Sequence, residues 1–459
     1  MDTIKKNAEK FSKSLTLKVI IIGAISLILL IPGAMIMELI RERKLRSDEA
    51  VAKINNLWSN DQTIIGPVMT IPYEVIVSDK ESSTTVRHYL NITPEELTIT
   101  GKIFPQEKYL GIYKSIIYKS DLQISGSFPA IDFSKAEHSR ILWNEAYVRI
   151  GISDLRGVSS IPDFKMAGNL YKPEAGGTNA DEIGQGLVIN LGTLLETNGG
   201  KKNGFSCLLN LKGSNSINFT PMGRTTKVKL IGNWNAPGFT GNFNPEHKIS
   251  EKDFQAEWKV LHFNRNIPDK WIDNNTDKFD DSIFGVKLVD MINHYQQAER
   301  SAKYAIMFIA LTFVVFFFVE VLTGKRVHPV QYILVGLGLI LFYSLLLSLS
   351  EQVGFGWAYL IASIAIIGLV SAYTANIFRN YRQAGLLALI LGILYSYLYV
   401  VLQIEELALL VGSIGLFIIL GVIMFFSTKI NWYKSPEISE EQDQDARRNY
   451  GDKSDLRSF

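Results

Sequence analysis

The 459-residue sequence predicts a membrane protein. It reads as an α-helical bundle of six transmembrane helices plus a large, mainly-β, sandwich-like extracytoplasmic domain inserted between helices 1 and 2. Three observations carry this. Apolar runs of about 20 residues, long enough to cross roughly 30 Å of hydrocarbon, occur once near the N-terminus and five times after residue 300. The short loops between the later runs alternate between basic and non-basic. The long stretch between the first and second runs alternates apolar and polar residues with the period of a half-buried strand.

The first run, 19–37, reads "VIIIGAISLILLIPGAMIM". No A-x-A cleavage site follows it, and it continues directly into "ELIRERKLR", so it reads as an uncleaved anchor rather than a signal peptide. The later runs are 304–322, 331–349, 355–377, 384–402 and 407–426, and Glu320 is the one formal charge inside them. "GKRVH" (324–328), "RNYR" (379–382), Lys429 and Lys434 follow the second, fourth and sixth runs. "SEQVG" (350–354) and the acidic "QIEE" (403–406) follow the third and fifth. The positive-inside rule places the basic loops and both termini in the cytoplasm, with Lys5, Lys6, Lys10, Lys13 and Lys18 in segment 1–18. The basic "RERKLR" after the first run then lies outside, which the rule tolerates before a long translocated domain. In this topology Glu351 sits in a five-residue outer loop at the bilayer surface. It is expected there to accept from the first N–H groups of the following span.

Residues 38–300 read as the periplasmic β-rich domain. Leu122 and Ile124, Phe205 to Leu211 at every second position, Ile217 and Phe219, Val228 and Leu230, and Phe254, Ala256, Trp258 and Val260 each mark one strand face. Gly-, Asn-, Pro- and Ser-rich clusters punctuate them. Many short strands of this kind predict an antiparallel sandwich in one or two units. "SGSFP" (125–129) and "TGNFNP" (240–245) suggest a duplicated half. Leu288, Ile292, Tyr295 and Glu299 fall at helical spacing, predicting a helix from about Val286 that runs on into the second span. Residues 301–433 form the five-helix bundle. The polar tail, 434–459, lacks the apolar surface to fold and is expected to be disordered.

Composition excludes more than it selects. A net charge of +2 without a basic stripe argues against nucleic acid. One cysteine, Cys207, excludes an intrachain disulfide and a thiolate metal cluster. The six histidines are scattered without metal-ligand spacing, and there is no H-E-x-x-H, no G-x-S-x-G and no G-x-x-x-x-G-K-[ST]. No metal, cofactor or enzymatic activity is expected. Asp154 and Arg156 in "SDLRG" read as a turn closed by a local ion pair.

The candidate functional residues lie at the membrane edges. Glu320 is near the cytoplasmic end of its span, and Arg326 or His328 is the expected partner. Tyr343, Tyr395 and Tyr399 approach the outer surface with Glu351. They read as the aromatic belt, with a polar pocket under the β domain as the alternative. Small residues at Ala358 and Ala362, and at Ala384, Ala388 and Gly392, read as helix-packing faces.

Several strings resemble one family in order. They are "GPVMTIPY" (66–73), "YLGIYKSIIYKSDLQISGSF" (109–128), "RIGISDLRG" (149–157), "WNAPGFTGNF" (234–243), "YQQAERSAKYAIMFIALTF" (295–313) and, most specific, "RVHPVQYILVGLGLILFYSLLLSLSEQVGFGWAYLIAS" (326–363). They resemble the CreD family of inner-membrane proteins, also labelled cell envelope integrity proteins. Where the family pattern carries a basic residue or His after the Glu, this chain has Gln352. The resemblance implies an inner-membrane protein of Gram-negative bacteria, linked to a two-component regulon and envelope stress, with no established enzymatic activity. The expected function is therefore non-enzymatic, in envelope integrity or stress response, through a periplasmic β domain and an envelope protein or lipid partner. The alternative is a transporter or lipid-handling protein whose β domain gates a polar site at the outer end of the bundle. The absence of proline from the last five spans counts against that alternative. The oligomeric state is left open.

Overall fold

The computed structural model describes residues 15–79, 82–131, 139–177, 183–198, 200–273, 279–288, 294–323, 327–404 and 407–428. Most of the lysine-bearing N-terminal segment, the basic residues 324–326 and the tail from residue 429 lie outside these, as does the expectation of a disordered tail. The chain divides into two compact units, one of Met1–Leu45 with Ile292–Phe459 and one of Arg46–Met291.

Helices α1 (Leu15–Ile28) and α2 (Leu30–Trp58) open the chain. The break at Leu29 precedes Pro32, which has no N–H to donate and whose ring crowds the carbonyl four residues back. Beyond the apolar run the helix was expected to stop near Met37, but it continues to Trp58. From Ala34 onward it contains no Gly or Pro and is rich in Glu, Arg, Lys, Leu and Ala, all good helix formers.

The Arg46–Met291 unit holds two sheets. Four long strands set its centre: β1 (Gln62–Asp79), β2 (Ser82–Ile92), β3 (Glu96–Leu110) and β4 (Tyr113–Phe128). In one sheet β1 lies between Ser216–Phe219 and Tyr147–Ile152; in the other β3 lies between Thr225–Gly232 and β4. The apolar faces of both sheets meet in one core. Val68, Ile71, Val148 and Phe284 come from the first sheet, and Ile99, Ile124, Leu209, Leu230 and Trp258 from the second. The period-two residues read from the sequence are the buried ones, and a single core makes this one unit.

Three expectations change. The sheets are mixed, because β1 pairs in parallel with residues 217–219 and β3 with residues 225–232. "SGSFP" ends a central strand of one sheet, whereas "TGNFNP" starts in an edge strand of the other, Pro237–Gly241, so their likeness marks no equivalent place. Val286 and Leu288 belong to strand Phe284–Leu288, held on both edges, rather than to a helix. A short helix, α3 (Leu194–Asn198), completes this unit.

The turn Leu155–Gly157 joins the end of α2 to the sheets. Asp154 accepts from the N–H of Asn60 (2.9 Å) and of Arg156 (3.1 Å) and from the Arg156 guanidinium (2.7 and 2.9 Å), which also donates to the Asn56 carbonyl at 2.8 Å. The local ion pair read from "SDLRG" is thus a structural joint. Cys207 is buried, and loss of hydration pushes its thiol up to about 12.

In the other unit, α4 (His294–Lys303) is amphipathic and meets α5 (Ala305–Thr323) at a 45° bend. α6 (Pro329–Val353), α7 (Phe355–Phe378), α8 (Tyr381–Gln403) and α9 (Ala408–Ser427) follow. Five helices are long and apolar enough to cross a membrane, and the bent pair α4–α5 makes up to six. Their outward faces remain apolar, as Leu389, Ile393, Phe417 and Met424 show. Such a surface is costly in water and ordinary in hydrocarbon. Ala358, Ala362 and Ala384 are buried as packing residues, but the buried stripe of α8 runs through Leu387, Leu391, Tyr395 and Leu398 rather than Ala388 and Gly392.

Hydrogen bonding to Arg156, followed by the backbone N–H groups, holds the Asp154 carboxyl well below the usual carboxylate range. Its contribution to stability is therefore present above the ordinary aspartate pKa of about 3.9 and lost as pH falls through the lowered folded value. Asp154→Asn should lower the stability of the purified protein by about 1.5–3 kcal/mol at neutral pH. In thermal unfolding, the gap from wild type should close as the solution is acidified below that range. A gap independent of pH would contradict the charge-based account.

Candidate functional site in the helical unit

Two carboxylates are drawn into the helical unit, and each meets a cation from the first helix pair. Glu320, 5% exposed near the end of α5, accepts from the Lys18 ammonium of α1. It also accepts from the backbone N–H of Val327 (2.8 Å) and the hydroxyl of Tyr332 (2.9 Å). The Tyr332 ring is fixed edge-on by Phe313, at 5.4 Å between centroids. Glu320 is thus a fully engaged acceptor, the condition for keeping a charge out of water.

Glu351 lies on α6, not in a loop. The helix runs on to Val353, and Gly354 alone separates it from α7, at φ 82°, a left-handed conformation that favours glycine. The expected capping of the next span by Glu351 is therefore absent. The cap position is Gly354, which has no side chain to offer. Glu351 turns instead toward the first helix pair and α4. It accepts from the Tyr295 hydroxyl at 3.0 Å and stands 3.8 Å from the Arg43 guanidinium, with its side chain 10% exposed. Beneath it, Ile40, Ala298 and Leu347 pack together from α2, α4 and α6.

Tyr332 and Glu351 are separated on α6 by 19 residues, roughly 28 Å of helix rise, close to the thickness of a hydrocarbon core. Between them the first helix touches α6 at Leu29, whose Cδ1 lies 2.2 Å from where a Cβ on Gly336 would stand. A larger residue there would displace the side chains of Leu29 and Phe313.

His328, a sequence candidate, caps α6. Its Nδ1 accepts from the Val330 N–H (3.3 Å), while its own N–H donates to the Gln331 side chain (3.0 Å), with Pro329 at the first helical position. Arg326, the other expected partner of Glu320, is outside the described residues. Tyr343 and Tyr395 are buried in the bundle core, 3% and 2% exposed, not on a lipid-facing belt. The Tyr395 ring packs tilted against Phe342 and Phe308, and its carbonyl accepts from the Tyr359 hydroxyl at 2.8 Å. Tyr399 is half-buried beside Tyr359, with 5.1 Å between ring centroids. The hydroxyl of Tyr343 is buried without a hydrogen-bond partner. Among the described residues no three His, Cys, Asp or Glu side chains gather as a metal site.

Sequence reasoning missed Lys18, Arg43, Tyr295 and Tyr332. The signal for Lys18 was present: Lys18 stands just before the first apolar run and Glu320 near the end of the second, the two ends that consecutive antiparallel helices bring together. The tyrosines gave no such signal, because their partners depend on helix rotation.

A family model described as inner membrane protein CreD matches residues 14–433. This chain belongs to the CreD family. The inner membrane protein CreD of Escherichia coli (strain K12) is 32% identical over 418 residues, covering 90% of this chain and 92% of that relative. The match spans both units, so the two carboxylate sites lie within the region that CreD proteins share.

Lys18→Met in this CreD-family chain should destabilise the helical unit by about 3–5 kcal/mol, because it strands a buried charge. The double change Lys18→Met, Glu320→Gln should recover most of that loss in detergent thermal unfolding. Equal losses for the single and double variants would show that Glu320 does not depend on Lys18.

Proposed function

We propose that this chain is a non-enzymatic protein of the bacterial inner membrane. It acts in envelope integrity or stress response through an envelope protein or lipid that its β unit meets in the periplasm. In this reading the bent pair α4–α5 is the second of six spans, the β unit is inserted between the first and second, and both termini are cytoplasmic. The observation that carries it is the use of the two carboxylates. Each is engaged by a cation and a tyrosine hydroxyl, so the charges fix the first span to the bundle rather than standing ready for chemistry. The pairing of Arg43 with Glu351 also gives the outer "RERKLR" cluster a reason to sit against its positive-inside bias.

The second reading, a lipid-handling or transport protein with the β unit gating a polar site, draws on the unpartnered hydroxyl of Tyr343 in the bundle core. Buried polar atoms of this kind are tolerated at sites that take a ligand or water.

Sidedness is tested with single cysteines at the exposed positions Gln352 and Tyr381, in a Cys207→Ala background. On intact spheroplasts a membrane-impermeant maleimide should label Gln352→Cys and leave Tyr381→Cys untouched; the reverse pattern moves the β unit to the cytoplasm. The two functional readings separate at Glu351. Glu351→Gln keeps an oxygen for the Tyr295 hydroxyl and should retain most complementation of an envelope-stress phenotype. Glu351→Ala leaves both partners unmet and should lose more. A folded but inactive Glu351→Gln would bring the transport reading forward, because only the charge would then have been removed.

A further inference from the structure

The β3–β4 hairpin is longer than the sheet that carries it. β3 stays paired with Thr225–Gly232 up to Ile103, and β4 is paired with Asn203–Ser214 only from Ile117 onward. The two strands nevertheless remain in register with each other from Phe104 opposite Lys119 to Leu110 opposite Tyr113. Residues 107–116 are therefore a two-stranded ribbon with no third strand on either edge. A ribbon of this kind is marginal in water unless an apolar face is covered.

Its far end is apolar and uncovered within its unit. Tyr109 is 59% exposed, Leu110 45% and Ile112 45%. Around these residues stand Lys108 and Lys114 with the single acid Glu107, 3.4 Å from Lys114, so the segment 107–116 carries two positive charges and one negative, net +1. Aromatic and aliphatic tips rimmed by lysine suit an anionic membrane interface, where Tyr sits with its ring among the headgroups and its hydroxyl in water.

The direction of the ribbon fits the same partner. Ser115 donates to Asn55 at 2.6 Å, and the Trp58 indole N–H donates to the Tyr118 carbonyl at 3.2 Å. Three residues onward in β4 correspond to three residues onward in α2, so strand and helix run the same way. The ribbon tip consequently points back along α2 toward Arg46. From Ser115 to Ile112 is about 10 Å of strand, and from Asn55 to Arg46 is about 13 Å of helix. The tip thus extends most of the way to Arg46, the first residue of its unit.

We propose that the tip of the β3–β4 ribbon, Tyr109 to Tyr113, seats in the headgroup layer of an anionic membrane surface. This rests on the membrane reading above, but not on its sidedness. The test uses the full chain in a Cys207→Ala background, with single cysteines carrying an environment-sensitive nitrobenzoxadiazole fluorophore at Leu110, Leu389 or Phe263. The protein is reconstituted into vesicles of three parts phosphatidylethanolamine to one part phosphatidylglycerol, doped with lipid bearing a nitroxide near the headgroup. Leu389 is a lipid-facing site on α8, and Phe263 is a water-facing site in the β unit, 84% exposed. The Leu110 probe should be blue-shifted and quenched several-fold more than the Phe263 probe. A Leu110 probe no more quenched than Phe263, while Leu389 is quenched, overturns the ribbon proposal and leaves the membrane reading standing. A blue shift without quenching also overturns it, because protein rather than lipid then covers the tip. Failure of quenching at Leu389 as well overturns the membrane reading itself. Replacing the phosphatidylglycerol with phosphatidylcholine should reduce quenching at Leu110; equal quenching in both would remove the anionic surface as the partner.

Discussion

A carboxylate held away from water must have its charge met at once, and in the helical unit that requirement fixes where the first helix pair lies. Glu320 takes Lys18 and Glu351 takes Arg43. Those cations are 25 residues apart, about 37 Å along a helix. Two charges so far apart on the first helix pair, together with the Leu29–Gly336 contact at the break between them, fix its depth and its rotation at the same time. A sliding or turning first helix would leave one acid unpaired, at a cost far above that of a lost surface ion pair. The first span is therefore part of the electrostatics of the bundle, not merely a tether for the β unit.

The two units obey opposite solvent rules, and the sequence reflects it. In the helical unit large apolar side chains such as Phe417 and Ile393 face outward, because hydrocarbon is the solvent there. In the β unit every second residue of a strand turns inward and the alternate ones face water, as along Phe254–Leu261. α2 passes from one regime to the other without a break, because good helix formers continue past the last apolar residue.

This division explains what was legible from sequence. Long apolar runs and strict alternation depend only on residue order, so the spans and the buried strand faces at Leu122, Cys207, Val228 and Trp258 were readable. Parallel pairing of β1 with residues 217–219 joins positions some 150 apart, and no local pattern encodes it. The helix expected at Val286 failed because a short run with Leu288 and Tyr295 at helical spacing fits a strand followed by a separate helix equally well. At the sites, both acids were found because charge inside an apolar run is conspicuous. Glu351 was given the wrong partner because loop length was read from polarity. Backbone geometry at Gly354 reduces that loop to one residue and moves the acid onto the helix.

The two parallel pairings also dictate an order of assembly. Until residues 216–232 exist, β1 and β3 each have one open edge in the middle of what will become a sheet. Open edges of long strands are templates for pairing with other chains, and contacts this far apart in sequence form late. During synthesis the first helix is made well before the strands that close these edges. The half-made β unit must then wait, tethered and unfinished, while more than a hundred further residues arrive. The chain consequently has a built-in window in which the open edges of β1 and β3 can pair with another chain before their own partners are made.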